Sequence, residues 1–298
     1  MFGKKEEIKD LKPEHRRRRK ELILPWGKKE RLIILFSFLI TVLVSVFFSF
    51  SSGNFEIPKF PDFSLGNIFK EETVIIGDKK AVEKAVREKR AEKIISEFKD
   101  KTKNLKGTYA FEVIDLSSEF RFGVNEGNVM QAASLIKLPL MLYSQGKVDD
   151  SKLEAMGKRS DNNVFTELVT KFGKKTIQDY IASLGLKNTS LEENLTTPSE
   201  VGDLFLKLYK EKNEKILGYL TDTIFEKWIK AGIPAEIKVS HKYGRETGVV
   251  NDAGIIYSKN PFILVIMTQG VNEIEADRAV PELAKMIYLE HAESQDIR

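Results

Sequence analysis

Ala132-Ala133-Ser134-Leu135-Ile136-Lys137-Leu138-Pro139-Leu140 sets a serine and a lysine three positions apart inside an apolar run. In a helix, the i, i+3 spacing places both side chains on one face, within hydrogen-bonding reach. Burial among apolar neighbours disfavours the charged ammonium, so neutral amine becomes available to take the hydroxyl proton. S-x-x-K occurs three times in the chain, at Ser96/Lys99, Ser134/Lys137 and Ser144/Lys147. The first lies in a highly charged stretch and the third at a helix end. Only Ser134/Lys137 has the apolar setting that a serine nucleophile needs.

Before this stretch, the periodicity predicts a helix to about Lys103, capped by Asp78, with Val82, Ala85, Val86, Ile94, Ile95 and Phe98 on one face. A strand at Thr108–Asp115 and a second at Phe120–Asn125 follow as a hairpin. Beyond Ser134 the apolar helix runs to about Gly146. Helices are then expected over 162–172 and 174–184, with a break at Gly173. Thr197-Pro198-Ser199-Glu200 reads as a capping box that opens a helix to about Lys210. A further helix is expected over Glu214–Lys230. The period then changes to that of strands at Ile237–Tyr243, Gly254–Tyr257 and Phe262–Thr268. Pro281 opens a last helix to about Glu290. Strands from both ends of this region must form one antiparallel sheet, with an all-α lobe inserted between them: an α+β fold.

The formal charge of +4 is unevenly spread. Residues 1–31 hold twelve Lys/Arg against six Asp/Glu, and the remainder holds 36 against 38. Leu32–Phe50 is nineteen residues without a charge. As a helix it is about 28 Å long, near the thickness of a bilayer core. Lys28, Lys29 and Arg31 precede it and no cation follows directly, so the positive-inside rule expects a cytoplasmic N-terminus. Trp26 fits an interfacial anchor. The competing reading is a cleaved signal peptide, which the small residues from Ser49 to Gly53 would suit; the long basic region and long apolar stretch favour an uncleaved anchor. The run His15–Lys20 reads as a topology signal in contact with anionic lipid, and no nucleic-acid partner is expected. The expected organisation is a basic cytoplasmic tail (1–31), one transmembrane helix (32–50), a Pro- and Gly-containing juxtamembrane linker (51–78) and an extracytoplasmic domain (79–298). The chain has no cysteine, which removes thiol nucleophiles. His15, His241 and His291 show no metal-ligand spacing, and neither metal nor cofactor is expected.

Two more signals follow Ser134 in order: Ser160-Asp161-Asn162, and Lys242-Tyr243-Gly244 on a predicted strand. S-x-x-K, S-D-N and K-[T/S]-G form the ordered set of class A β-lactamases and penicillin-binding proteins. Val249–Tyr257 resembles the strand that follows K-T-G in class A enzymes, and Thr196-Thr197-Pro198 resembles the end of their omega loop. The resemblance covers about residues 79–298. It implies Ser134 as the acylated nucleophile, Lys137 as base or proton shuttle, and Ser160 as donor to the leaving nitrogen. Asn162, Lys242 and Gly244 would bind substrate, and Asp161 would fix its turn. Backbone N–H groups of Ser134 and Arg245 would form the oxyanion hole.

Three departures accompany the resemblance. Tyr243 stands where Thr or Ser is usual, so the hydroxyl that binds the substrate carboxylate is missing or displaced. Only 26 positions separate Ser134 from Ser160, so the helical lobe is shortened. The omega loop is short, and Glu192 and Glu193 lie outside the usual pattern of a deacylating glutamate. The expected activity is a membrane-tethered serine hydrolase opening β-lactam rings. The alternatives are a D-alanyl-D-alanine peptidase acting on peptidoglycan stem peptides and a non-turnover penicillin or peptidoglycan sensor.

Overall fold

The structure, a computed structural model, describes residues 28–51 and 79–292. They fall in two units, Met1–Thr73 and Val74–Arg298. His15–Lys20, Trp26, the linker from 52 to 78 and the expected cap Asp78 lie outside the described residues. In the first unit, Lys28–Ser51 forms helix α1. The expected span Leu32–Phe50 falls within it, and its side chains from Leu32 to Ser45 are exposed. Among the described residues, no helix is long and apolar enough to cross a membrane.

The second unit opens with α2 (Lys79–Thr102) and the hairpin β1 (Thr108–Asp115) and β2 (Arg121–Val124). It closes with β5 (Val239–Glu246), β6 (Val249–Ile256), β7 (Phe262–Gln269) and α9 (Glu273–Ala292). These five strands make one antiparallel sheet in the order β2-β1-β7-β6-β5. β1 pairs β7 along its whole length, Thr108 opposite Gln269 and Asp115 opposite Phe262. The two ends of the domain therefore meet in the middle of the sheet, as the sequence predicts. One face carries Phe111, Val113, Leu264 and Ile266 against Ile94, Phe98, Val280 and Ile287 of α2 and α9. The other carries Ala110, Ile114, Ile255 and Val265 against the helical lobe. With both faces covered, β6 is buried at every position, which is why its sequence does not alternate.

The lobe consists of α3 (Lys137–Ser144), α4 (Asp150–Lys158), α5 (Asn162–Phe172), α6 (Lys174–Ser183), α7 (Pro198–Lys210) and α8 (Glu214–Tyr219). A two-residue pair, β3 (Met130–Gln131) with β4 (Leu195–Thr196), ties the loop before α7 to the segment before Ser134. Helix α4 and this pair are absent from the sequence reading. Three expectations are corrected. The helix expected to Lys230 stops at Tyr219, because the chain turns to bury Trp228 and Ile229 in the core under α9. Pro281 lies inside α9, which is capped earlier by Asn272 accepting from Ile274 N and Glu275 N. The capping box of α7 is half made. Thr197 Oγ1 accepts from Glu200 N, but the Glu200 carboxylate turns instead to Asn188 and Thr189 in the preceding loop.

Candidate active site

Ser134 sits in a 3₁₀ turn, Ala133–Ile136, that runs directly into α3. Ala133 enters the turn at φ +48°, a left-handed conformation that costs an L-residue with a β-carbon. Neighbouring bonds hold it there. Asn251 Nδ2 on β6 donates to the carbonyls of Gln131 (2.8 Å) and Ala132 (3.2 Å), and Asn251 Oδ1 accepts from Thr268 N. Ala132 N donates to Asn194 O. From the other side comes Gly244 of β5. A β-carbon there would lie 2.6 Å from Ser134 N and 3.1 Å from Ala133 Cβ. Only glycine lets the strand come this close to the backbone of the serine.

Lys137, one turn on, is buried, and its Nζ is the hub of the site. It reaches Ser134 Oγ at 3.1 Å, Ser160 Oγ at 3.1 Å, Ser160 O at 2.6 Å and Asn162 Oδ1 at 2.5 Å. Burial pushes its pKa down to about 8, partly offset by the charge of Asp161. Asp161 itself caps α5, accepting from Asn163 N and Val164 N, the turn-fixing role the sequence suggests. Ser160 takes φ +52°, which presents both its carbonyl and its hydroxyl to Lys137. Its hydroxyl is shared: Lys242 Nζ donates to Ser160 Oγ at 2.9 Å. Lys242 is fully buried, and burial together with the nearby charge of Lys137 holds its pKa well below the usual lysine value. Five of the sequence-selected side chains thus share one hydrogen-bonded cluster, in which an amine can take a proton from one hydroxyl and pass it to another.

Arg245 contributes differently with its two ends. His241 N donates to Leu220 O, on the side of β5 away from β6. In an antiparallel strand the N–H groups alternate sides, so those of Tyr243 and Arg245 face that same edge. The guanidinium turns away to Asp277 and Glu273 and stacks over Trp228. The other S-x-x-K pairs are not assembled. Ser96 is exposed on α2, and Lys147 lies over the Tyr143 ring.

The sequence reading missed one buried group. His241 Nδ1 lies 2.8 Å from Asp252 Oδ1, and its Nε2 lies 3.2 Å from Glu226 Oε1. Burial disfavours the imidazolium, but the two carboxylates outweigh it and raise its pKa to about 9. Opposite His241 stands Gly254, where a β-carbon would lie 2.5 Å from His241 Cβ. A histidine beside Lys242 and an aspartate in Val249–Tyr257 were visible, but nothing in their spacing joined them. Among the described residues, no three such side chains are grouped to hold a metal ion.

The model of the Beta-lactamase enzyme family matches residues 88–156 and 150–290. The chain belongs to this family. The family fold recurs in solved structures. PBP-A is 18% identical, with a TM-score of 0.62 over 69% of this chain and 96% of its own. A variant of PBP-A is seen as an acyl-enzyme complex with penicillin G. An ancestral class A β-lactamase is 16% identical, with a TM-score of 0.60 over 65% and 98% of the two chains. A β-lactamase from Sphaerobacter thermophilus is 19% identical, with a TM-score of 0.58 over 67% and 96%. No curated protein matches the chain.

Within this family two of the three departures now have positions. Glu192 pairs with Lys174 at the surface, and Glu193 is exposed. Neither hydrogen-bonds Ser134 or Lys137; the Lys137 amine is met by the side chains of Ser134, Ser160 and Asn162. Tyr243 is half-buried, its ring 5.1 Å from that of Phe225 and 4.2 Å from Lys242 Nζ.

Proposed function

We propose that this member of the β-lactamase family is a serine acyl hydrolase that forms an acyl-Ser134 intermediate with amide carbonyls, opening β-lactam rings in the same way. The observation that carries this reading is the Lys137 amine, buried and within 3.1 Å of both Ser134 Oγ and Ser160 Oγ. In the first step Ser134 Oγ bonds to the carbonyl carbon while its proton passes to the neutral Lys137 amine. The carbonyl oxygen takes the negative charge, met by the N–H groups of Ser134 and Arg245. The C–N bond then breaks, and the proton returns through Ser160 Oγ to the leaving nitrogen. Water then cleaves the ester, restoring the serine hydroxyl and releasing the acid.

A D-alanyl-D-alanine peptidase is the second reading, and one observation favours it. Glu192 and Glu193 face solvent, away from the lysine hub, so the side chain that would speed hydrolysis of a penicilloyl ester is not at hand. β-Lactam adducts of Ser134 are then long-lived. A membrane tether through Leu32–Phe50 is part of this proposal and is read from the sequence. The uncharged run Leu32–Phe50 behind a basic flank supports an uncleaved span, as do exposed side chains such as Leu35 and Phe38. On this reading the N-terminus is cytoplasmic and the domain extracytoplasmic.

The test is the full chain mixed with penicillin G and followed by intact-mass spectrometry. One adduct is expected, mapping to Ser134, absent from Ser134→Ala and normal in Ser96→Ala. Labelling that persists in Ser134→Ala refutes the choice of nucleophile. Release of D-alanine from a pentapeptide stem distinguishes the peptidase. Carbonate extraction and protease protection of membranes test the tether.

A further inference from the structure

Tyr243 stands where the family pattern has Thr or Ser, and its position can be read from the surroundings of Lys242. A protonated lysine has three N–H donors. One points to Ser160 Oγ at 2.9 Å and one to the carbonyl of Tyr243 at 2.7 Å. The third direction is covered by the Tyr243 ring, whose centroid lies 4.2 Å from Nζ, well within cation–π range. The ammonium has no solvent-exposed surface. The ring is held in place by Phe225 at 5.1 Å, which packs in turn on Trp228 at 4.5 Å. Trp228 Nε1 donates to Asp277.

Two neighbouring cations are engaged elsewhere. Arg245 donates to Asp277 and lies beside Glu273. Lys158, at the end of α4 two residues before Ser160, donates to the carbonyls of Thr221 and Asp222. A carboxylate entering beside Ser160 would meet the face and rim of an aromatic ring in place of a free N–H.

We infer that Tyr243 sets substrate choice by roofing Lys242, so that the site acylates faster with donors that lack a carboxylate on the leaving-group side, neutral amides and esters, than with those that carry one, penicillin G and stem peptides included. This rests on the acylation of Ser134 proposed above. A Thr in its place would uncover the ammonium and restore a short hydroxyl for an anion. A Phe would keep the roof and remove only the phenol.

The experiment compares two β-lactams that differ in that one group, penicillin G and its methyl ester. The full chain is mixed with each, and the second-order rate of acyl-adduct formation is read by time-resolved intact-mass spectrometry. The wild type is expected to acylate faster with the ester. Tyr243→Thr should move the ester-to-acid rate ratio toward the acid by about tenfold to a hundredfold, the worth of a hydrogen bond to a charged group. Tyr243→Phe should keep the wild-type ratio. An unmoved ratio in Tyr243→Thr overturns the inference. So does a Tyr243→Phe ratio shifted toward the ester, since the phenol would then be the carboxylate donor. If Tyr243→Thr fails to fold, the wild-type and Tyr243→Phe ratios decide. A wild type that prefers the acid overturns this inference alone, whereas no adduct from either compound overturns the acylation itself.

Discussion

Gly244→Ala offers the sharpest perturbation of the site, because the structure gives its size. The new β-carbon would lie 2.6 Å from Ser134 N, where ordinary contact begins near 3.4 Å. Either β5 or the serine turn must retreat by about 0.8 Å. The atom in the way is backbone, so no side chain can swing aside. β5 is the edge strand of the five-stranded sheet, and beyond the Thr221–Ser240 bridge its outer side bears no further strand, so its Gly244–Glu246 end can shift. That movement separates the N–H of Arg245 from that of Ser134, the two proposed oxyanion donors. Misplacement by about 1 Å, or loss of one such donor, costs about 10²-fold or more in rate. Overpacking costs about 1–3 kcal/mol of stability, or about 2–12 °C in Tm for a domain of this size. Gly218→Ala is the control, since nothing lies within 4 Å of its added carbon. The assay is the rate of penicillin G acylation alongside a thermal melt. Gly244→Ala acylating within twofold of wild type, with its Tm lowered, would refute the claim that this close approach positions the oxyanion site.

Because burial lowers Lys137 to about 8, the acylation rate should rise about tenfold per pH unit below 8 and level off above it. A flat profile from pH 6 to 9 contradicts Lys137 as the base. His241 is raised from 6.5 to about 9, so its contribution to stability is full below pH 6.5 and is lost as pH rises through 9. Denaturant melts should show His241→Gln destabilised most at pH 6, with the difference from wild type shrinking by about 3 kcal/mol at pH 9.5. Glu192→Gln and Glu193→Gln should each leave the lifetime of the penicilloyl adduct within twofold of wild type. A tenfold longer lifetime in either would restore that glutamate as a deacylation base.

The sheet was legible because β1 and β5 to β7 bear strong local patterns and because strands at both ends of a domain have few ways to pair. The nucleophile and its partners were legible through their order along the chain. What escaped the sequence depends on tertiary contact. Helix α4, Asp150–Lys158, holds strong helix formers in Lys152–Met156, but it is short and ends on Gly157, which packs so closely on Tyr219 that an added β-carbon would lie 2.5 Å from the Tyr219 carbonyl. The stretch after Tyr219 has helical periodicity, yet it leaves the helix because Thr223 and Glu226 turn to the His241 ring and Trp228 enters the core. Asn251 reads as one polar residue in an apolar strand. Its value lies in the two carbonyls before Ser134 that it holds across the sheet.

The placement of one hydroxyl between two amines explains why both lysines are buried. Ser160 Oγ lies 3.1 Å from Lys137 Nζ and 2.9 Å from Lys242 Nζ. A hydroxyl has one proton to give and two lone pairs to receive with. If Lys242 donates to it and Lys137 has just taken the proton of Ser134, both lone pairs of Ser160 are occupied. Its own proton is then left pointing out of the pair, toward a leaving nitrogen. If Lys137 is neutral, as burial makes readily reached near pH 8, its lone pair is open to Ser134 Oγ–H. The same geometry thus accepts a proton in one charge state and delivers one in the other. The φ of +52° at Ser160 serves both states, because it turns the carbonyl onto Lys137 and keeps that amine in place while its charge changes.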